Sequence, residues 1–345
     1  MALTFGYGLI SCERHPAVPG RTAVELYQEA LRLAEAAERL GLDTVWTTEH
    51  HFVDSDYLPA PLTMAAAMTA VTRRIRVGTG VALAPLYQPV RLAEEAATID
   101  LLGEGRFVLG LGLGWSKVEF AAFGAERARR GRALEEIFDI LRQAAADDVV
   151  HHHGPIYDVP EVSIRPKPAR GRLAIWVGAE AEPALRRAAR LADGVFVMQA
   201  PLDEFRADVA IVRDELERSG RDPATLALAT YLTVLPQEGQ RDAWDEFGEL
   251  VLHTQWKYLD MGRSARRTGQ PMPPRGELPD GVADRLRATT VAGSPEACAD
   301  RIAAYREAAG GDLHVMARNY LPGLSAAGQA DLLERFARTV VPLLR

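Results

Sequence analysis

Residues 109–116 read LGLGLGWS, directly after the apolar pair Phe107 and Val108. Glycine at alternate positions after a buried strand invites a dinucleotide-binding reading. That fingerprint, however, is G-x-G-x-x-G, opens a helix at once, and meets an acidic residue about 20 positions on, after a second strand. Here the spacing is G-x-G-x-G, the tract lies deep in the chain, and a helical pattern follows it. The surrounding chain decides the matter. Short apolar runs alternate with helical patterns, the signature of βα units around a parallel sheet. Candidate strands fall at Leu3–Ile10, Thr44–Thr47, Ile75–Leu83, Phe107–Leu111, Ala174–Val177, Gly194–Val197, Leu226–Leu235 and Leu313–Ala317. The first intervening helix places Leu26, Ala30, Leu33, Ala37 and Leu40 on one face and stops at Gly41, a natural C′ residue. Eight such units without a strong linker predict an α/β fold, a closed (β/α)8 TIM barrel in one domain over residues 1–345. In that fold the glycines of the tract mark where backbone comes close to a flat ligand, because no Cβ intervenes.

Two segments break the rhythm. Residues 149–168, VVHHHGPIYDVPEVSIRPKP, combine alternating β-forming residues with a Gly-Pro turn and predict a hairpin outside the barrel. Residues 236–290 form a long insertion before the last βα units, with the Pro-, Gly- and Arg-rich centre GRSARRTGQPMPPRGELPDG; its length predicts a lid. Its flank FGELVLHTQWKYLDM has helical spacing, and Trp256 and Tyr258 there either cover a ligand or pack a core.

Composition narrows the classes of function. The net charge of −7, with both signs interspersed, offers no basic stripe for a phosphate backbone, so nucleic acid is not an expected partner. Cys12 and Cys298 cannot make a disulfide framework, and the start MALTFGYGLIS lacks signal-peptide features, which together predict a cytoplasmic protein. No apolar run approaches the ~20 residues of a membrane span, so no membrane association is expected.

Polar residues concentrate at one strand end. TEHHF, Thr48 to Phe52, follows the second strand at the barrel face where active sites are built. Glu49, His50 and His51 there suit acid–base work. Adjacent side chains on extended backbone point to opposite sides, so the two imidazoles are poorly placed to share a metal ion, and no HExxH or CxxC pattern supplies further ligands. One of the pair should face the cavity and the other should not. WVGAEAEPALRRAARLADG, Trp176 to Gly194, runs from a strand into a helix that begins near Pro183, and its first N–H groups could accept a phosphate if Glu180 and Glu182 turn away. His151–His153 reads as a solvated strand surface, and the charged run RARRGRALEE, Arg127 to Glu136, as either a phosphate clamp or a charged helix start.

Taken together, GLDTVWTTEHHF (41–52), IRVGTGVAL (75–83), QPVRLAEEAATIDLLGEGRFVLGLGLG (88–114) and EFAAFG (119–124) resemble, in order and spacing, the bacterial luciferase-like family of flavin-dependent monooxygenases. IWVGAEAEPALRRAARLADG and VAGSPEACADRIAAYREAAG extend a weaker similarity. The resemblance implies that His50 is the catalytic histidine, with His51 and Glu49 its companions in the motif. It implies a cis peptide at Gly80–Val81 beside the flavin ring, and a flavin-phosphate region at Gly178, Ala179 and Glu180, with Arg132 a further contact. Where luciferase has a Cys-Arg pair with the Arg on the phosphate, this chain has Gly112 and Leu113, followed by Gly114. The implied activity uses reduced FMN (FMNH2) and O2 to oxygenate a small organic substrate, with a separate flavin reductase because no nicotinamide fingerprint is present, and a homodimeric assembly. The alternatives are a deazaflavin (coenzyme F420)-dependent reductase or dehydrogenase, and a non-catalytic flavin-binding member of the family.

Overall fold

The structure is a computed structural model that describes residues 3–16, 18–237, 239, 242–263 and 281–345. Eight strands run parallel: β1 (Thr4–Ile10), β2 (Thr44–Thr47), β3 (Arg76–Thr79), β4 (Phe107–Gly112), β5 (Ala174–Ala179), β6 (Gly194–Val197), β7 (Ala227–Leu232) and β8 (His314–Arg318). They pair in chain order and close on themselves, β8 against β1 from Thr4↔His314 to Gly8↔Arg318, and β3 against β4 at Val77↔Phe107. The predicted barrel is therefore present.

The helices are α1 (Ala23–Arg39), α2 (Pro61–Val71), α3 (Pro89–Leu102), α4 (Lys117–Ala122), α5 (Arg130–Ala146), α6 (Glu182–Leu191), α7 (Leu202–Arg218), α8 (Ala243–Arg263), α9 (Val282–Thr289), α10 (Pro295–Ala308) and α11 (Ala326–Arg335). Local sequence sets their ends. A capping box, Thr22 with Glu25, opens α1, and Gly41 at φ +79° closes it with Leu42 N donating to Ala37 O at 3.0 Å.

The barrel interior explains the glycines. Trp46, Trp176, Phe196 and Met316 fill it, and facing positions must be small to admit them. A Cβ on Gly78 would sit 2.1 Å from the Trp46 ring, and one on Gly110 would sit 1.8 Å from Thr79 O. Thr79 Oγ1 donates to Gly110 O at 2.7 Å and accepts from Gly110 N at 2.9 Å, a clasp between β3 and β4 that leaves no room for a side chain. Gly110 is thus glycine because of strand packing, which corrects the ligand-approach reading at that position. At the N-terminal end of the barrel, Trp46 Nε1 donates to Thr44 Oγ1 at 2.6 Å, and the His314 ring bridges Thr4 and Thr44 at 2.9 and 3.0 Å. Burial, with Arg76 nearby, lowers the His314 pKa to about 3, so this buried imidazole is neutral.

Other boundaries differ from the sequence reading. The predicted strand Ile75–Leu83 is β3 followed by the cis peptide Gly80–Val81 and a short piece, Ala82–Leu83, that pairs with the end of β4. Further cis bonds lie at Gly8–Leu9 and Arg165–Pro166. The run Leu226–Leu235 divides into β7 and Val234–Pro236, which leaves the barrel to pair with Val291–Gly293. The hairpin forms, with Val150–His153 antiparallel to Asp158–Val162. His152 is not on its solvated side, because its ring reaches Asp139 at 2.8 Å and Glu136 at 3.2 Å on α5. In the long insertion, Trp256 packs with Trp244, Phe247 and Leu321, while the Pro/Arg centre of the expected lid, residues 264–280, lies outside the described residues. Among the described residues no helix is long and apolar enough to cross a membrane.

Candidate functional site

The C-terminal ends of the strands surround a cavity of about 730 Å3. A second cavity, about 840 Å3, opens at the opposite end beside Thr44, Arg76 and His314. The strand ends that carry TEHHF belong to the first, the face on which barrels of this kind place their chemistry.

His50 lines that cavity. Its backbone N donates to Leu58 O at 3.3 Å, and its ring Nδ1 donates at 3.0 Å to Oε1 of Glu119, a fully buried carboxylate on α4. The same oxygen accepts the His51 backbone N–H at 2.9 Å, so one carboxylate fixes both the ring and the loop that carries it. With Nδ1 committed, Nε2 is the ring nitrogen left for chemistry in the cavity. The rings of Tyr57, Trp115 and Tyr258 stand 5.1, 5.8 and 5.5 Å from the imidazole.

His51 has a different partner. Its Nε2 donates to Glu49 Oε1 at 2.7 Å, and its ring packs edge-on against Phe123 at 4.6 Å, away from the cavity lining. Glu49 also accepts Leu83 N at 2.6 Å and Tyr87 OH at 3.1 Å. The pair therefore latches the β2 loop to the segment after the cis peptide, and the expectation that only one histidine faces the cavity describes the geometry.

Gly80, Val81, Gly112, Leu113, Gly114, Gly178, Ala179 and Glu180 all line the cavity. Cβ atoms on Gly112 and Gly178 would meet the Val81 methyls at 2.4 and 3.2 Å, so the two glycines let Val81 lie flat between them as a platform. A floor of that kind, in a cavity of the volume that ordinarily encloses a cofactor, fits a flat tricyclic ring. At one side, α6 begins without a side-chain cap at Ala181, and Glu182 turns along the helix to Arg186 at 2.9 Å, which leaves the helix N-terminus open to a phosphate. Arg132 is not there. It is half exposed and holds Glu135 and Glu136 at 3.5 and 3.1 Å; Arg130, two residues earlier, lines the cavity instead.

The profile of the luciferase-like monooxygenase family matches residues 7–312. The chain belongs to the luciferase-like monooxygenases. Across 323 residues it is 26% identical to 4-hydroxyprotoasukamycin monooxygenase of Streptomyces nodosus subsp. asukaensis, covering 90% of this chain and 85% of that protein. Across 162 residues it is 30% identical to the oxygenase component of the flavin-dependent trigonelline monooxygenase of Acinetobacter baylyi, covering 46% and 45%. With several other curated relatives, too, the chain spans about half of their length. Its fold superimposes on monooxygenase RslO1 of Streptomyces bottropensis with a TM-score of 0.80 at 24% identity, over 99% of this chain and 100% of that one. The oxygenating constituent of 3,6-diketocamphane monooxygenase of Pseudomonas putida, in complex with FMN, gives 0.76 at 20% over 100% and 99%. An F420-dependent secondary alcohol dehydrogenase gives 0.77 at 17% over 100% of both chains. The barrel is thus shared by FMN- and F420-binding proteins.

The sequence does not single out Arg318, Tyr231 or the supporting Glu119, and it leaves Arg130 and Tyr258 among alternatives. Glu119 lies in EFAAFG but 69 residues from its partner His50, a separation that carries no periodic signal. Arg130 lies inside a basic run, and the spacing of Tyr258 suits a core and a ligand cover equally. Arg318 is the residue just after the predicted end of the last strand, and Tyr231 sits inside one.

Proposed function

We propose that this luciferase-like monooxygenase is the oxygenase component of a two-component system, in which reduced FMN arrives from a separate reductase and O2 is used to oxygenate a small organic substrate. The observation that carries the reading is the His50–Glu119 pair on the cavity wall. Bound FMNH2 would supply the two electrons by which O2 gives one atom to the substrate and the other to water. Val81 with Gly112 and Gly178 would hold the ring system, and Arg130 with the start of α6 the phosphate. His50 Nε2 takes and returns a proton at the reacting centre, while Glu119 holds the tautomer and balances the charge when the ring is protonated. The aromatic rings around His50 keep water out of that corner. The relatives' names, one flavin-dependent and both monooxygenases, support FMN over a deazaflavin, as does the Glu-His-His motif.

Anaerobic fluorescence titration tests the cofactor. FMNH2 and FMN should bind saturably, and Arg130→Ala should weaken FMN about tenfold, the loss of one charge-assisted hydrogen bond, while leaving riboflavin unchanged. Saturable binding of reduced F420 with none of FMNH2 would overturn the reading.

A further inference from the structure

The cavity holds a cation that the proton chemistry of His50 does not use. Arg318, the last residue of β8, lines it. Its guanidinium sits deep among protein atoms and is partly accessible from the cavity. Among the described residues no carboxylate lies within ion-pair distance of it. Its contacts are the Tyr258 hydroxyl, to which Nη2 donates at 3.4 Å, and the ring faces of Tyr231 and Tyr258 at 5.8 and 5.5 Å. Glu13, an acid whose charge reaches Arg318, is already engaged, because Lys257 Nζ holds its Oε2 at 2.5 Å.

Guanidinium stays protonated in proteins, and a charge removed from water is stable only when paired. The half-buried Arg186 and the exposed Arg285 each face carboxylates at hydrogen-bond distance, whereas Arg318, inside the cavity, faces none among the described residues. At Arg318 the counter-charge has to come from what enters the cavity. Two π faces hold a guanidinium flat without neutralising it, and they leave its edge presented as a fork suited to two carboxylate oxygens. The Tyr258 hydroxyl beside it contacts Tyr57 Oη at 3.2 Å and so holds Tyr258 in place, and the Tyr258 ring is only 5.5 Å from His50.

Resting on the monooxygenase reading above, we infer that the substrate is an organic carboxylate whose anionic group seats on Arg318 beside Tyr258, which directs the rest of the molecule toward His50. Arg318 is then the specificity-determining residue, and neutral analogues are rejected because they leave the buried cation unpaired.

The test uses the FMN-loaded protein with benzoate and its neutral isostere benzamide, both titrated by calorimetry. Wild type should bind benzoate at least about tenfold more tightly than benzamide, Arg318→Gln should erase the preference, and Arg318→Lys should keep part of it, with FMN affinity within about twofold throughout. Equal affinity for the two probes in wild type, or no benzoate binding, overturns the proposal. So does a loss in Arg318→Gln that falls on FMNH2 affinity and spares benzoate, since the anion paired by Arg318 would then be the reduced flavin. Benzoate preference in a wild-type protein that takes up no FMN contradicts the flavin reading alone and supports the carboxylate seat.

Discussion

His50→Ala is expected to bind FMN within about twofold of wild type and to lose product formation by about 10²- to 10⁴-fold, the range that general acid–base groups contribute. The imidazole touches neither the α6 start nor Arg130, so cofactor affinity has no reason to follow. Oxygen still meets reduced flavin in the variant. Electrons that no longer reach the substrate leave as hydrogen peroxide, so peroxide released per flavin oxidised should rise. Glu119→Gln should fall between wild type and His50→Ala, because an amide can still accept from Nδ1 but does not balance a protonated ring. His51→Ala cuts the latch to Glu49 and should act through stability and loop order rather than through peroxide. Product and peroxide are measured side by side with a carboxylate substrate. Equal, mild losses in the His50 and His51 variants would make both histidines structural.

Gly110→Val is expected to yield no folded barrel at ordinary growth temperature. Even the first added carbon would sit 1.8 Å from a backbone oxygen of β3, and that oxygen belongs to a closed sheet that cannot shift locally. The expected cost exceeds the 4–5 kcal/mol that marks exceptional point mutations, roughly half or more of a typical domain's stability. Gly112→Ala is the informative contrast. There the collision is with the Val81 side chain at 2.4 Å, so the barrel should fold while the cavity floor is displaced and FMN affinity falls. Thermal melts followed by circular dichroism, paired with FMN titration, separate the two. A Gly110 variant that melts like wild type would show that the β3–β4 clasp is not required.

The same tract shows what sequence can and cannot convey. Alternating glycines after an apolar run announce a strand with unusual neighbours, and the alternation of such runs with helices is enough to predict the barrel. The identity of each neighbour is not in the tract: Gly110 faces Thr79 and Gly112 faces Val81, both about thirty positions away and brought there by strand register. The cavity histidine was legible because strand end and acid–base chemistry coincide in one short motif. Glu119 and Arg318 were not, because each meets a partner on another element. Arg132 was favoured over Arg130 for want of the helix phase. Two residues turn a helix by about 200°, onto the far face, and only packing of α5 against the barrel fixes that phase.

The most direct measurement mixes the anaerobic protein–FMNH2 complex with oxygenated buffer in a stopped-flow spectrometer and follows the return of oxidised flavin, in wild type and in His50→Ala. The account predicts that wild-type protein changes the course of this reoxidation from that of free FMNH2, and that removing His50 shifts it toward the free-flavin course. Traces from wild type that coincide with free FMNH2, or with His50→Ala, would contradict a cavity in which this chain manages the reaction of reduced flavin with oxygen.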